Sequence, residues 1–104
     1  MSKERRDDKR VRLPLEMRWE GKARKHTARV YDISSSGCYI ESIAQVEMGE
    51  RVRFEVQLPT GIWLPLQGEV VHYQPDMGFA LRFSDLSEQD RDTLAWLVGY
   101  VRDG

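Results

Sequence analysis

Apolar and polar residues alternate in several short stretches between residues 13 and 83, which is the pattern of strands that are buried on one side. The alternation is clearest at 51–58, where Val52, Phe54 and Val56 face one side and charged or amide side chains face the other. The pattern predicts six strands, at residues 13–19, 25–33, 38–42, 51–58, 62–73 and 77–83. Pro14 predicts an edge or a strand start in the first strand, and Gly68 a bulge or bend in the fifth.

The pattern changes period near the C-terminus, where apolar residues recur at helical spacing. Leu94, Leu97, Val98 and Val101 fall at positions i, i+3, i+4 and i+7, which places them on one face of a helix. Ser87 is positioned to cap the helix start, because serine accepts hydrogen bonds from the first free N–H groups of a helix. Six short strands followed by one helix predict a mainly β fold, either a small antiparallel barrel or a sandwich, with the helix over one opening.

The composition is that of a single folded domain. The 104 residues are near the common domain size, and 40% of them are apolar. No apolar run is long enough to span a bilayer, and the charged N-terminus does not resemble a signal peptide. Cys38 is the sole cysteine, so no disulfide can form within the chain. These features favour a cytoplasmic location and no membrane insertion.

Charge is distributed unevenly, although the net charge is only −1. Residues 1–29 carry 11 Lys or Arg and 5 Asp or Glu, whereas the rest of the chain carries 5 basic and 12 acidic residues. Residues 1–12 hold almost no apolar side chains, so burial cannot fix them to a core. We therefore predict a flexible basic arm at 1–12 and a folded domain at 13–104. The basic end is suited to phosphate, although a solvated tail beside an acidic body gives the same pattern.

Two short motifs carry the candidate chemistry. Residues 5–10 read Arg-Arg-Asp-Asp-Lys-Arg, so that Arg6 and Arg10 are separated by three residues. Residues 32–37 read Asp-Ile-Ser-Ser-Ser-Gly between two predicted strands, which indicates a turn. Arginine binds phosphate through two parallel hydrogen bonds, stacks on aromatic planes and donates to O6 and N7 of guanine. A turn rich in hydroxyl and N–H groups adds a polar cradle, so the two motifs together suit a phosphorylated ligand.

This pair of motifs resembles the PilZ domain family, which carries Arg-x-x-x-Arg near the N-terminus and Asp/Asn-x-Ser-x-x-Gly roughly 20 to 30 residues later. The likeness runs from about Arg5 to Val101. It implies a six-stranded antiparallel β-barrel with a C-terminal α-helix. It also implies that the ligand is cyclic diguanylate (c-di-GMP), a bacterial second messenger, and that no cofactor is needed.

The resemblance also assigns the contacts to this ligand. The expected ligand-binding residues are Arg5, Arg6, Arg10, Asp32, Ser34 and Gly37. The two motif arginines are expected to contact guanine and phosphate, the aspartate and serine to hold a guanine, and the glycine to permit close approach. Arg5, just before the motif, adds a further contact. We expect the arm to order over the turn when ligand binds, and so to signal to an effector protein that the sequence does not identify.

Other interpretations of the same residues stay open. Asp32 and Ser34 can serve only to stabilise a turn, and Gly37 only to supply an unusual φ, in which case the chain is an interaction domain that does not bind nucleotide. An enzyme is not expected, because phosphate-loop, zinc-protease and nucleophile-elbow motifs are missing and His26 and His72 are isolated. RNA or DNA binding is not expected either, because the body of the chain is acidic and no strand combines aromatic with basic residues on one face.

Overall fold

The structure is a computed structural model, and it describes residues 9–20 and 25–103. Those residues form seven strands and one helix. The strands are β1 (Val11–Arg12), β2 (Glu16–Glu20), β3 (Lys25–Ile33), β4 (Gly37–Glu41), β5 (Arg51–Gln57), β6 (Trp63–Gln74) and β7 (Gly78–Ser84), and the helix is α1 (Glu88–Asp103). The prediction of a mainly β chain that ends in a helix is confirmed.

Six of the strands close into an antiparallel barrel. Neighbouring strands around the barrel are β3, β2, β5, β6, β7 and β4, and β4 pairs with β3 to complete the ring. The inward side chains are the apolar members of each alternation, among them Met17, Val30, Ile40, Phe54 and Phe79. The six-stranded barrel that the family resemblance implied is confirmed, and the sandwich alternative is not the fold.

The first strand of the barrel is interrupted at a proline. β1 and β2 both pair with the same side of β3, with Val11 opposite Ile33 and Glu16 opposite Arg29. Pro14 lies in the gap between them, and proline has no N–H to give to a ladder. The carbonyl of Leu15 accepts the N–H of Val30 at 2.8 Å, so the gap stays attached to β3.

This pairing moves the boundary between the predicted arm and the barrel. Val11 and Arg12 were assigned to the arm at 1–12, but they form β1 on the end of β3. The sequence prediction missed this because a two-residue strand is too short to show alternation. Residues 1–8 lie outside the described residues, so the flexibility of the arm stays a prediction for that part.

The helix closes the barrel at the end where β1 lies. Leu94 and Leu97 are fully buried in the barrel core, and α1 contacts β1. The predicted cap is confirmed, because Ser87 Oγ accepts the N–H of Asp90 at 3.0 Å. In the described part of the chain no helix is long and apolar enough to cross a membrane. The bulge predicted at Gly68 lies instead between Val70 and His72 in β6.

Candidate functional site

The turn between β3 and β4 is organised around a buried hydroxyl. Ser34 has 0% of its surface exposed. Its Oγ accepts the N–H groups of Ser36 and Gly37, each at 3.2 Å, and donates to the carbonyl of Gly37 at 3.3 Å. The carbonyl of Ser36 accepts the N–H of Phe83 at 2.8 Å, which ties the turn to β7. The Ser34 side chain therefore shapes the turn from within.

Gly37 is required by the packing of β4 against β7. A Cβ at this position would collide with the carbonyl oxygen of Leu81 and crowd the Cα of Arg82. The glycines with positive φ in the described residues are Gly49 and Gly61, so Gly37 does not supply an unusual φ, as the alternative interpretation proposed. The absence of a side chain brings two strands together at this point, beside the turn.

The two sequence motifs meet in space through an ion pair. Arg10 Nη1 donates to Asp32 Oδ1 at 2.9 Å, across 22 residues of sequence. The register brings the two segments together, because Arg12 lies opposite Asp32 and Arg10 comes just before β1 in the chain. The Arg10 side chain is 45% exposed and that of Asp32 is 20% exposed, so both remain accessible from outside.

A second arginine and an aromatic ring complete this group. The guanidinium carbon of Arg12 lies 3.9 Å from the centre of the Tyr31 ring. We call the four residues Arg10, Arg12, Tyr31 and Asp32 the β1–β3 corner. Arg12 and Tyr31 were not selected from the sequence, although Arg12 lies only two residues after Arg10.

Tyr39 borders the β1–β3 corner on β4. Its ring meets that of Tyr31 edge to face at 6.3 Å, and its hydroxyl donates to Gln74 Oε1 at 2.7 Å. The pKa of Tyr39 is raised by desolvation first and then by the carboxylates of Glu41 and Asp32. The Tyr39 hydroxyl therefore keeps its proton at neutral pH and acts as a hydrogen-bond donor.

Cys38 lies beneath the same region and is chemically quiet. Burial raises the pKa of its thiol to about 12, against a smaller opposing effect of Arg10. The nucleophile in cysteine chemistry is the thiolate, so a buried thiol that stays protonated is inert. The β1–β3 corner offers two guanidinium groups, a carboxylate and an aromatic ring, which are groups suited to binding a ligand.

The predicted ligand-binding residues fall into three groups in the structure. Arg10 and Asp32 are in direct contact and accessible. Ser34 and Gly37 are buried in the adjoining turn. Arg5 and Arg6 lie outside the described residues, so the structure does not test their position relative to Arg10.

Known proteins were compared with this chain at the level of sequence and of fold. The model of the PilZ domain family matches residues 4–100. No curated protein matches the chain. Among solved structures, the PilZ domain of YcgR from Escherichia coli with c-di-GMP has a TM-score of 0.75 and 16% identity, and the match covers 95% of this chain and 93% of that chain.

Two longer chains share the fold. YcgR from Escherichia coli in complex with c-di-GMP has a TM-score of 0.79 and 18% identity, and the match covers 95% of this chain and 46% of that chain. The Bacillus subtilis inhibitor of motility, MotI/DgrA, has a TM-score of 0.73 and 17% identity, with 95% and 52% covered. The present chain thus spans about half the length of these two proteins. At such identities the structural likeness shows the fold alone. The family model spans residues 4–100, nearly the whole sequence, and the chain therefore belongs to the PilZ domain family.

Proposed function

We propose that this domain is a receptor for c-di-GMP and that the β1–β3 corner holds the ligand. The observation that carries the proposal is the ion pair between Arg10 and Asp32, because it brings residues of the two sequence motifs to one accessible place. Membership of the PilZ family supports the choice of ligand, as do the YcgR structures that contain c-di-GMP.

Each of the two accessible groups matches a part of this ligand. Arginine has five N–H donors in a fixed fork, so Arg10 can keep its bond to Asp32 and still donate to a phosphate or to O6 and N7 of guanine. A carboxylate has about four lone-pair sites. Asp32 can therefore accept the N–H donors of a guanine edge while it remains paired with Arg10.

The other predicted residues are proposed in more specific roles. Ser34 and Gly37 contribute to binding through the shape of the turn, because the hydroxyl is fully buried and the glycine touches β7. Ser35 and Ser36, which the sequence did not select, are exposed at the same turn. Arg5 and Arg6 precede the β1–β3 corner in the chain and would add cationic contacts from the arm.

The signal would pass to a separate effector protein. We propose that residues before Lys9 become ordered when c-di-GMP binds, because their arginines would be neutralised by its phosphates. Ordering would create a surface made of arm, ligand and barrel that a partner can recognise. We also propose that the protein is cytoplasmic and is not an enzyme, because the groups of the β1–β3 corner are suited to binding a ligand.

The ligand is tested by isothermal titration calorimetry with c-di-GMP and, separately, with single-stranded RNA. We expect micromolar or tighter binding of c-di-GMP, about −8 kcal/mol or below, and no heat with RNA. Absence of binding by the folded protein at high micromolar c-di-GMP would favour an interaction domain that has no nucleotide ligand. Heat with RNA alone would indicate a nucleic-acid barrel.

The site is tested by the Arg10→Ala variant, with Arg53→Ala as its matched control. Arg53 is an exposed arginine on β5, two strands away from β3. Loss of a charge-assisted contact should cost about 1.5 to 3 kcal/mol, or more than tenfold in affinity, while the exposed ion pair adds only about 0 to 1 kcal/mol to folding. If both variants bind equally well, the ligand site lies elsewhere.

The switch is tested by amide hydrogen exchange with and without saturating c-di-GMP. Exchange at residues 3–8 should slow on binding, while the amides of β3 should be slow in both states because they belong to the barrel ladder. Residues 3–8 that exchange equally with and without ligand would contradict the ordering of the arm and leave the binding proposal intact.

A further inference from the structure

The guanidinium group of Arg12 lies over an aromatic ring at the edge of the barrel. Its guanidinium carbon lies 3.9 Å from the centre of the Tyr31 ring, within the distance of a cation–π contact. Tyr31 is 36% exposed, so most of its surface is covered within the folded domain. The Tyr31 and Tyr39 rings meet edge to face, with their centres 6.3 Å apart.

The position of this stacked pair relative to the carboxylate is set by strand register. Arg12 lies opposite Asp32 in the ladder between β1 and β3, and Arg10 contacts Asp32 from just before β1. One accessible surface thus contains two groups that could bind a planar ligand. The carboxylate can accept hydrogen bonds in the plane of the ligand, and the guanidinium group can contact the face of the ligand. A purine base presents both an edge with donors and a flat π-face.

Folding gives little reason for this arrangement. Arg12 is exposed, and an exposed cation–π pair makes only a small contribution to stability. The side chain of arginine normally loses much rotamer freedom when it binds, and a ring that already restrains it lowers that cost. The stacked pair has the properties of a preorganised binding surface.

We propose that Arg12, supported by Tyr31, is the stacking plane for a guanine base whose edge is bound by Asp32. This inference rests on the proposed c-di-GMP receptor function and adds two residues to it. Arg12 contacts the base face, and Tyr31 is a positioning residue that keeps the guanidinium plane in place. The planar group matters here more than the charge, which distinguishes this role from attraction to phosphate.

The test compares Arg12→Lys and Arg12→Ala with the wild-type domain by calorimetry with c-di-GMP, using Arg53→Lys as the matched control. Lysine keeps the charge but lacks the plane, so both Arg12 variants should lose about tenfold or more in affinity, as expected for one lost stacking contact. Arg53→Lys should bind within twofold of wild type. Thermal unfolding should show that all variants fold.

A second pair of variants separates support by the ring from other roles of Tyr31. Tyr31→Phe keeps the ring and should retain the wild-type affinity, whereas Tyr31→Val removes it and should weaken binding about as much as Arg12→Lys. If Arg12→Lys binds within twofold of wild type, Arg12 acts through charge alone and the stacking role is overturned. If the wild-type domain itself does not bind c-di-GMP, the receptor function fails and this inference fails with it.

Discussion

Removal of one buried oxygen atom, by Ser34→Ala, should destabilise the barrel clearly. The hydroxyl of Ser34 is fully buried and takes part in three hydrogen bonds to backbone atoms of Ser36 and Gly37, at 3.2 to 3.3 Å. These distances are at the long end of the normal range, so each bond should contribute about 0.5 to 1 kcal/mol. The sum predicts a loss of about 2 kcal/mol in the free energy of unfolding.

The prediction is measured by urea denaturation and by thermal unfolding. For a domain of about 100 residues, 2 kcal/mol corresponds to a fall of roughly 8 °C in the melting temperature. Ser42→Ala is the matched control, because the Ser42 hydroxyl accepts a single N–H, from Ala44 at 3.0 Å, in a partly buried loop. The control should lose less than about 1 kcal/mol. If Ser34→Ala is no less stable than Ser42→Ala, the buried hydroxyl does not hold the turn and the reasoning is refuted.

Two further predictions concern the residues that follow this turn. Gly37→Ala should lower the free energy of unfolding by about 1 to 3 kcal/mol or more, because the new Cβ must displace the backbone of Leu81. Gly99→Ala has open space in α1 and should raise the free energy of unfolding by up to about 1 kcal/mol. Equal effects of the two variants in chemical denaturation would contradict the contact of Gly37 with β7. Cys38 should resist alkylation at pH 8 in the native domain and react fully in urea. Its pKa rises from 9.0 to about 12 on folding, so the folded state keeps a proton that the unfolded state loses, and stability should decline from about pH 9 upwards, with a smaller decline in Cys38→Ala.

The sequence predicted those parts of the fold that depend on local pattern. The limits of β3 at 25–33 were predicted correctly, because the apolar markers Ala28, Val30 and Ile33 are followed by a clear turn signal. The break at Pro14 was predicted only as an edge or a strand start. The pairing of β1 with the end of β3 depends on the register between distant segments, which alternation does not encode.

The candidate site was predictable in its residue types and less so in its geometry. Arg10 and Asp32 were selected from their motifs, yet their direct contact depends on the register of β1 with β3. The burial of Ser34 was not predictable, because a serine between two turn residues is usually exposed. Arg12 was overlooked because a single arginine near other charges carries no local signal, and its contact with the Tyr31 ring is visible only in the structure.

The close contact of Gly37 with β7 has a consequence for how related sequences are interpreted. A related barrel that no longer binds a ligand still needs a glycine where β4 pairs with β7 and a hydroxyl inside the preceding turn. The serine and the glycine of the motif should therefore persist in relatives that bind no nucleotide. The side chains of Arg10 and Asp32 are 45% and 20% exposed, and an ion pair of this kind adds only about 0 to 1 kcal/mol to folding, so we expect the barrel to tolerate their replacement. If the proposed c-di-GMP site is correct, the arginine and the aspartate should distinguish relatives that bind the ligand from relatives that do not, whereas the serine and the glycine indicate only that the hairpin folds.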